Sequence, residues 1–244
     1  KLERLMPDPV AKQEPGKYAQ AFRMHEAVAM IGALVRGLLL PIYSSMLKKK
    51  ENIAPMVQLS FTLLFIPAVV IAVSSFFYDR DIMALLYHAH VDDSADILGL
   101  LMAGFPGIAA TYIFGTLLTA NGSLRQLNTM AFGGMLLNIG LNLWLIPHYQ
   151  ALGSAFSSMV TQLATGAAQV VIAFALFRLK PPAPYLFRLI VFLLFTLAAG
   201  YFSQMAGHRL VGYLLAIALP MLFALAIQLI NLRDIGRIIL SRNA

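Results

Sequence analysis

The sequence has no cysteine, which excludes disulfides and cysteine-ligated metal sites. It is also short of charge. Only 12% of its residues are Asp, Glu, Lys or Arg, against roughly 25% in an ordinary soluble domain. A soluble chain of 244 residues needs a polar shell, and too few polar residues are present to build one. None of the five histidines has the His-x-x-x-His spacing that would put two metal ligands on one helix face. No Walker sequence, dinucleotide-binding glycine fingerprint or metallopeptidase motif is found. No nucleophile, base and carboxylate assemble along the chain either. An enzyme has little to stand on here, and no cofactor is called for.

What the sequence does have is apolar length, with 59% hydrophobic residues. The stretch from Asn121 to Gln169 organises the rest. It opens with a polar turn, Asn121–Gln126, and continues as an apolar run ending in Asn138-Ile-Gly-Leu-Asn142-Leu-Trp-Leu-Ile-Pro147. Only His148 to Ala151 separate this run from Leu152–Ser158 and a second apolar run. Each run reaches the roughly 20 residues that cross about 30 Å of hydrocarbon. The pair therefore predicts a membrane helix hairpin.

Around the hairpin the sequence predicts an all-α, polytopic membrane helix bundle of about seven spans. The first is Tyr18 to Leu47, stopped by Lys48, Lys49 and Lys50. The second is opened by Asn52 and Pro55 and runs to about Tyr78; Pro67 inside it removes one helical hydrogen bond and predicts a kink. The third covers about 95–120, where Gly104-Phe-Pro106-Gly107 predicts a bend or local unwinding. The fourth and fifth, the hairpin, are about 127–146 and 151–177, with Gly133 and Gly134 allowing close helix approach. Arg178 to Pro184 is a firm break. The sixth and seventh follow at about 186–205 and 210–232 and read as peripheral additions. Residues 1–17 read as a loop, and 233–244 as a tail resting on the membrane surface. The chain begins at Lys1 with neither methionine nor a signal-peptide pattern, so a preceding part of the protein is expected.

The net charge of +7 does not point to nucleic acid, because the basic residues sit beside apolar runs, where membrane proteins keep them. Lys and Arg accumulate in short cytoplasmic loops. If seven spans alternate, Lys48–Lys50, Arg125, Arg178, Lys180 and the tail arginines share one side. The other side holds Arg80 and Arg209 with Asp79, Asp81, Asp92, Asp93 and Asp96. This predicts a cytoplasmic C-terminus and an extracytoplasmic 1–17 loop. Lys1, Arg4, Lys12 and Lys17 count against that assignment, and the shorter loops outweigh them.

Arg36 is the sharpest residue, since it lies near mid-membrane, where a charge costs about 2.5–3.5 kcal/mol. Besides a misplaced helix boundary with the side chain snorkelling to the interface, two readings stand side by side. One is a structural arginine paired with a carboxylate or helix carbonyls. The other is an anion-binding charge in a transport cavity, suited to phosphate because planar guanidinium donors bind two oxygens at once. His25 lies eleven residues earlier, close to three full turns, and shares the face of Arg36; Gly32 and Tyr43 lie near it. Glu26 points about a quarter turn away and is either a site for a coupling proton or sodium ion or a locally satisfied interface carboxylate. Asn138 and Asn142, Gln162 with Gln169 and Thr165, and Gln58 with Thr62 form polar stripes. They act as helix-to-helix glue or line a polar cavity. Tyr43, Tyr112 and Trp144 have the chemistry to contact sugars, or anchor the interface.

Several of these motifs carry a family resemblance. Ala120-Asn-Gly-Ser-Leu-Arg-Gln, the Asn138–Tyr149 segment and Leu152-Gly-Ser-Ala resemble the C-terminal lobe of bacterial polysaccharide and O-antigen flippases. These belong to the multidrug/oligosaccharidyl-lipid/polysaccharide exporter superfamily. Tyr18-Ala-Gln-Ala-Phe-Arg-Met-His-Glu-Ala, with Leu40-Pro41-Ile-Tyr-Ser-Ser-Met, is similar to the family's eighth membrane helix. The family's link has glycine after the tyrosine, where this chain has Gln150. The resemblance covers about 18–180 by pattern and 186–232 by helix count alone. It implies a five-helix core of a C-terminal transporter lobe at 18–180, two added helices at 181–232 and a cytoplasmic tail at 233–244. It also implies a bacterial inner-membrane location and a partner N-terminal lobe of the same polypeptide. The implied activity is alternating-access translocation of a polyprenyl-pyrophosphate-linked oligosaccharide for polysaccharide or lipopolysaccharide synthesis. Arg36 would contact phosphate, while His25, Tyr43, Gln58, Asn138, Asn142 and Gln162 line or brace the cavity. A cation-coupled multidrug exporter using Glu26, and a non-transporting membrane scaffold, are the rival readings.

Overall fold

The computed structural model describes residues 14–229, and the expectations for 1–13 and 230–244 lie outside the described residues. The fold is an all-α membrane helix bundle. Its elements are α1 (Glu14–Lys48), α2 (Ala54–Phe77), α3 (Asp79–Leu86), α4 (Val91–Ala103), α5 (Phe105–Ala110), a π-helical turn (Thr111–Gly115), α6 (Thr116–Ala120), α7 (Leu124–Phe177), α8 (Ala183–Ser203) and α9 (Arg209–Ala226). Six helical stretches are long and apolar enough to cross a membrane, with α4 to α6 counting as one.

The 54-residue α7 is a hairpin rather than one rod. Backbone angles at Gln150 are φ 53° and ψ −128°, outside any helix. The Asn138 amide donates to Thr161 Oγ1 at 3.3 Å, and a Cβ on Gly134 would lie 3.0 Å from Thr165 Oγ1. In a straight helix residues 138 and 161 would be about 35 Å apart at 1.5 Å per residue. The two arms therefore pack antiparallel, which makes seven apolar stretches of spanning length among the described residues. Gly134 makes the expected close approach, whereas Gly133 faces open space.

The third crossing, α4 to α6, is the buried axis. It packs against α1, α2 and the second hairpin arm. Gly104 divides α4 from α5 where Gly104-Phe-Pro-Gly107 predicted a bend. Backbones meet there: a Cβ on Gly166 would lie 2.5 Å from Gly107 O, so only glycine fits. α8 and α9 pack on each other and on α2 through Ile66, Val70, Phe192 and Ala224.

Boundaries shift at both ends. Residues 14–17, expected as loop, are the first turn of α1. Glu14 is buried and accepts the Ala151 amide at 3.2 Å. Lys17 bridges Glu14 at 2.7 Å and Asp93 at 2.8 Å. α9 ends at Ala226 rather than 232 because Gln228 turns left-handed (φ 56°) and the Leu229 amide closes onto Ala224 O at 2.9 Å. Such a left-handed turn satisfies the last helical carbonyls. Similar turns at Lys50, Gly122 and Arg178 end α1, α6 and α7.

The loops gather by charge as the alternation predicted. Lys17 to Asp93, Arg209 to Asp81 at 3.8 Å, Gln204 to Phe77 O at 2.9 Å and Glu14 to Ala151 tie one end together. Asp79, Asp81, Asp92 and Asp93 occupy first helical turns there, where negative charge complements the helix dipole. Lys48 to Lys50, Arg178 and Lys180 stand at the other end, beside helix C-termini.

Candidate functional site

α1 carries the site because one of its faces is packed and the other is not. Ala21, Leu39 and Tyr43 are buried, whereas Met30, Leu34 and Leu38 are each 67% exposed. Along the boundary between these faces run His25, Ala29, Gly32 and Arg36. Opposite them stands Tyr112, in the π turn. A π turn inserts an extra residue per turn and is often found at functional sites.

One edge of the Tyr112 ring packs against Gly32. A Cβ at Gly32 would come within 2.6 Å of the ring, so glycine is what admits the tyrosine. Its hydroxyl donates to Ala29 O at 3.2 Å. One turn further, the Arg36 guanidinium carbon stands 5.7 Å from the ring centre, a cation–π distance. Two turns before Gly32, His25 meets Phe105 edge-on at 6.1 Å, and its Nδ1 is buried without a partner. The shared face of His25, Gly32 and Arg36 is thus present. Arg23, Glu26, Met30, Ala33 and Tyr112 border a shallow hollow of about 610 Å³ along the same edge.

Arg36 is twelve residues before the end of α1 at Lys48, about 18 Å along the axis, which is roughly half the hydrocarbon thickness. It is exposed. Among the described residues no carboxylate pairs with it. A mid-bilayer cation on an exposed surface needs water or a polar partner in front of it. The cation–π contact holds the guanidinium over Tyr112 without using its N–H donors, an arrangement suited to phosphate or carboxylate oxygens. Glu26 and Arg23, also exposed, lie about 15 and 20 Å from it along the helix axis and line the hollow, which Arg36 does not.

The other sequence candidates go elsewhere. Tyr43 is fully buried in the cluster with Leu39, Val57 and Ile113, so it braces the core and does not line the hollow. Asn142 donates to Asn138 O at 2.8 Å and Oδ1 at 2.9 Å, and Asn138 reaches Thr161. This pair is the glue of the hairpin. Gln162 brings its backbone carbonyl against Gly107, and its side chain is half-buried. Gln58 lines a separate apolar crevice of about 500 Å³. Trp144 is 67% exposed close to the hairpin turn, in an interface-anchor position.

Tyr112 is the residue whose place the sequence did not reveal. The usable signal was Gly32, a gap on the Arg36 face that an aromatic ring could fill. No protein-family model matches the sequence, and no curated protein matches it in a sequence search.

Proposed function

We propose that this bundle is the C-terminal half of a flippase that carries a lipid-linked, pyrophosphate-bearing oligosaccharide across the bacterial inner membrane by alternating access. The observation that carries the reading is the exposed Arg36, unpaired among the described residues, at mid-bilayer depth beside the exposed apolar residues Leu34 and Leu38. A second, amino-terminal lobe of the same polypeptide would close over that face and complete a water-filled cavity. Arg36 would then hold phosphate, with His25 and Glu26 on the cavity wall and the Asn138–Asn142 pair bracing the hairpin behind it. Charge at the two ends supports a cytoplasmic placement of the Lys48–Lys50 and Arg178–Lys180 end. The motif resemblance at Ala120–Gln126 and Asn138–Ala155 supports the substrate class.

A scaffold reading requires Arg36 packed against a carboxylate, and the exposure of Arg36 argues against it. One observation favours a cation-coupled small-molecule exporter: Glu26 is exposed in the hollow that Arg23, Met30, Ala33 and Tyr112 border. Complementation distinguishes the two. The full-length parent gene is expressed in a strain lacking a polysaccharide flippase, and lipid-linked intermediates are assayed in each leaflet. Outward movement reduced about tenfold or more by Arg36→Ala supports the flippase. Unchanged flipping in Arg36→Ala at normal expression would remove its assigned role, and drug efflux dependent on Glu26 would favour the exporter.

A further inference from the structure

The crevice beside Gln58 is separate from the α1 face and has a chemistry of its own. It lies where α8 leaves the bundle, between α2, the third crossing, the second hairpin arm and residues 179–189. Its volume is about 500 Å³, within the roughly 300–1,000 Å³ of ligand pockets. Phe61 and Phe65, stacked at 4.4 Å, form one wall. Small residues, Ala110 and Ala167, give it width. Val171 and Leu186, both exposed, flank an opening toward the bilayer.

Polar groups are confined to one end. Gln58 is in the second turn of α2, and Lys180 is in the link before α8. The Tyr185 hydroxyl is engaged by Thr62 Oγ1 at 3.0 Å, so Tyr185 shows the crevice its ring. Lys180 is exposed and forms no ion pair among the described residues. Water does not suit the apolar depth, because a buried water needs two to four polar partners. An amphiphile does suit it: a long apolar chain inward and an anionic group outward, at the end of the bundle that also carries Lys48–Lys50 and Arg178. Basic pockets between membrane helices take anionic lipid headgroups in this manner.

We propose that this crevice seats one acyl chain of an anionic glycerophospholipid, with the lipid phosphate held by Lys180 and the Gln58 amide. The lipid wedges α8 against the second hairpin arm, on the side where the Phe192 cluster does not reach. This inference needs the membrane placement alone and stands apart from the transport reading.

The test is lipid retention. The whole protein is purified, delipidated and given phosphatidylglycerol or phosphatidylcholine with identical chains, and retained lipid is counted by native mass spectrometry. One phosphatidylglycerol is expected to be kept in preference to phosphatidylcholine. Lys180→Glu should weaken that preference about fivefold or more, the effect of one lysine near an anionic surface. Arg188→Glu, exposed on α8 and not lining the crevice, should leave it intact. Ala167→Phe should lower retention of both lipids; if that variant does not fold, the Lys180 and Arg188 pair decides. Equal retention of the two lipids by the unaltered protein, no effect of Lys180→Glu, or an equal effect of Arg188→Glu would overturn the proposal.

Discussion

The guanidinium carbon of Arg36 stands 5.7 Å from the centre of the Tyr112 ring, and Tyr112 is held in turn by Ala29 O and by the space above Gly32. The ring therefore positions the cation. Tyr112→Phe keeps the ring and is expected to transport nearly normally. Tyr112→Leu removes the stacking, worth about 0.5–1 kcal/mol at an exposed site, and should lower transport about two- to fivefold. Gly32→Ala drives a methyl into the ring and should resemble Tyr112→Leu. Initial rates at matched expression check all three, and a defect in Tyr112→Phe equal to that of Tyr112→Leu would assign the effect to the hydroxyl.

Arg36→Ala should reduce flipping by about 10–100-fold, the worth of a hydrogen bond to a charged group. Arg36→Lys, which keeps the charge and loses the two-pronged geometry, should fall between. Thermal stability in detergent should barely change, because Arg36 makes no ion pair among the described residues.

Gln150 sits at φ 53° and ψ −128°, a conformation glycine adopts freely and other residues adopt at a cost of about 1–3 kcal/mol. Gln150→Gly should therefore raise the thermal midpoint, by about 2–4 °C. Gln150→Val, branched at Cβ, should lower it.

Gly166 and Gly133 give a matched pair. A Cβ on Gly166 lands 2.5 Å from Gly107 O and 2.9 Å from its Cα, backbone that cannot step aside. Gly166→Ala should cost about 1–3 kcal/mol, as overpacking does. Gly133 faces open space, so Gly133→Ala should gain about 0.5–1 kcal/mol of helix preference. Melting of the two purified variants measures the difference.

Asp79, at the acidic end in the non-spanning α3, is pushed above its usual value of 3.8 by burial first and by the Asp96 charge, against the Arg80 amide and guanidinium. The folded state therefore holds this proton more tightly than the unfolded one. Between 3.8 and the raised folded value, stability falls as pH rises, and above that window the deficit is constant. Asp79→Asn should be more stable than the unaltered protein at neutral pH, and the gap should close on acidification through the window.

Most of the fold was legible because membrane spans are long, apolar and punctuated. The hairpin at His148–Ala151, the break at Gly104–Gly107 and the sorting of loops by charge follow from composition and from glycine and proline alone. Helix ends were less legible: Glu14 to Lys17 looked like a loop until the Ala151 amide and Asp93 supplied partners for their charges. The site was legible on one helix only. Helical spacing put His25 and Arg36 on a common face, but periodicity says nothing about the element opposite, so Tyr112 was left among three candidate aromatics. It likewise could not tell Asn138 and Asn142, which bond within the hairpin, from side chains lining a cavity, nor the buried Tyr43 from an exposed one.

The central claim is that the Arg36 edge of α1 borders water inside the assembled protein. Single cysteines test it directly: residues 1–244 have none of their own, and any cysteine elsewhere in the full-length protein is first replaced by serine. Ala33→Cys, in the hollow, and Leu194→Cys, exposed midway along α8, are placed one at a time in the full-length protein in native membranes. They are then treated with a membrane-impermeant maleimide. Labelling of Ala33→Cys with protection of Leu194→Cys is the predicted result. Equal protection of both would mean that α1 faces lipid or packed protein, and would contradict the account.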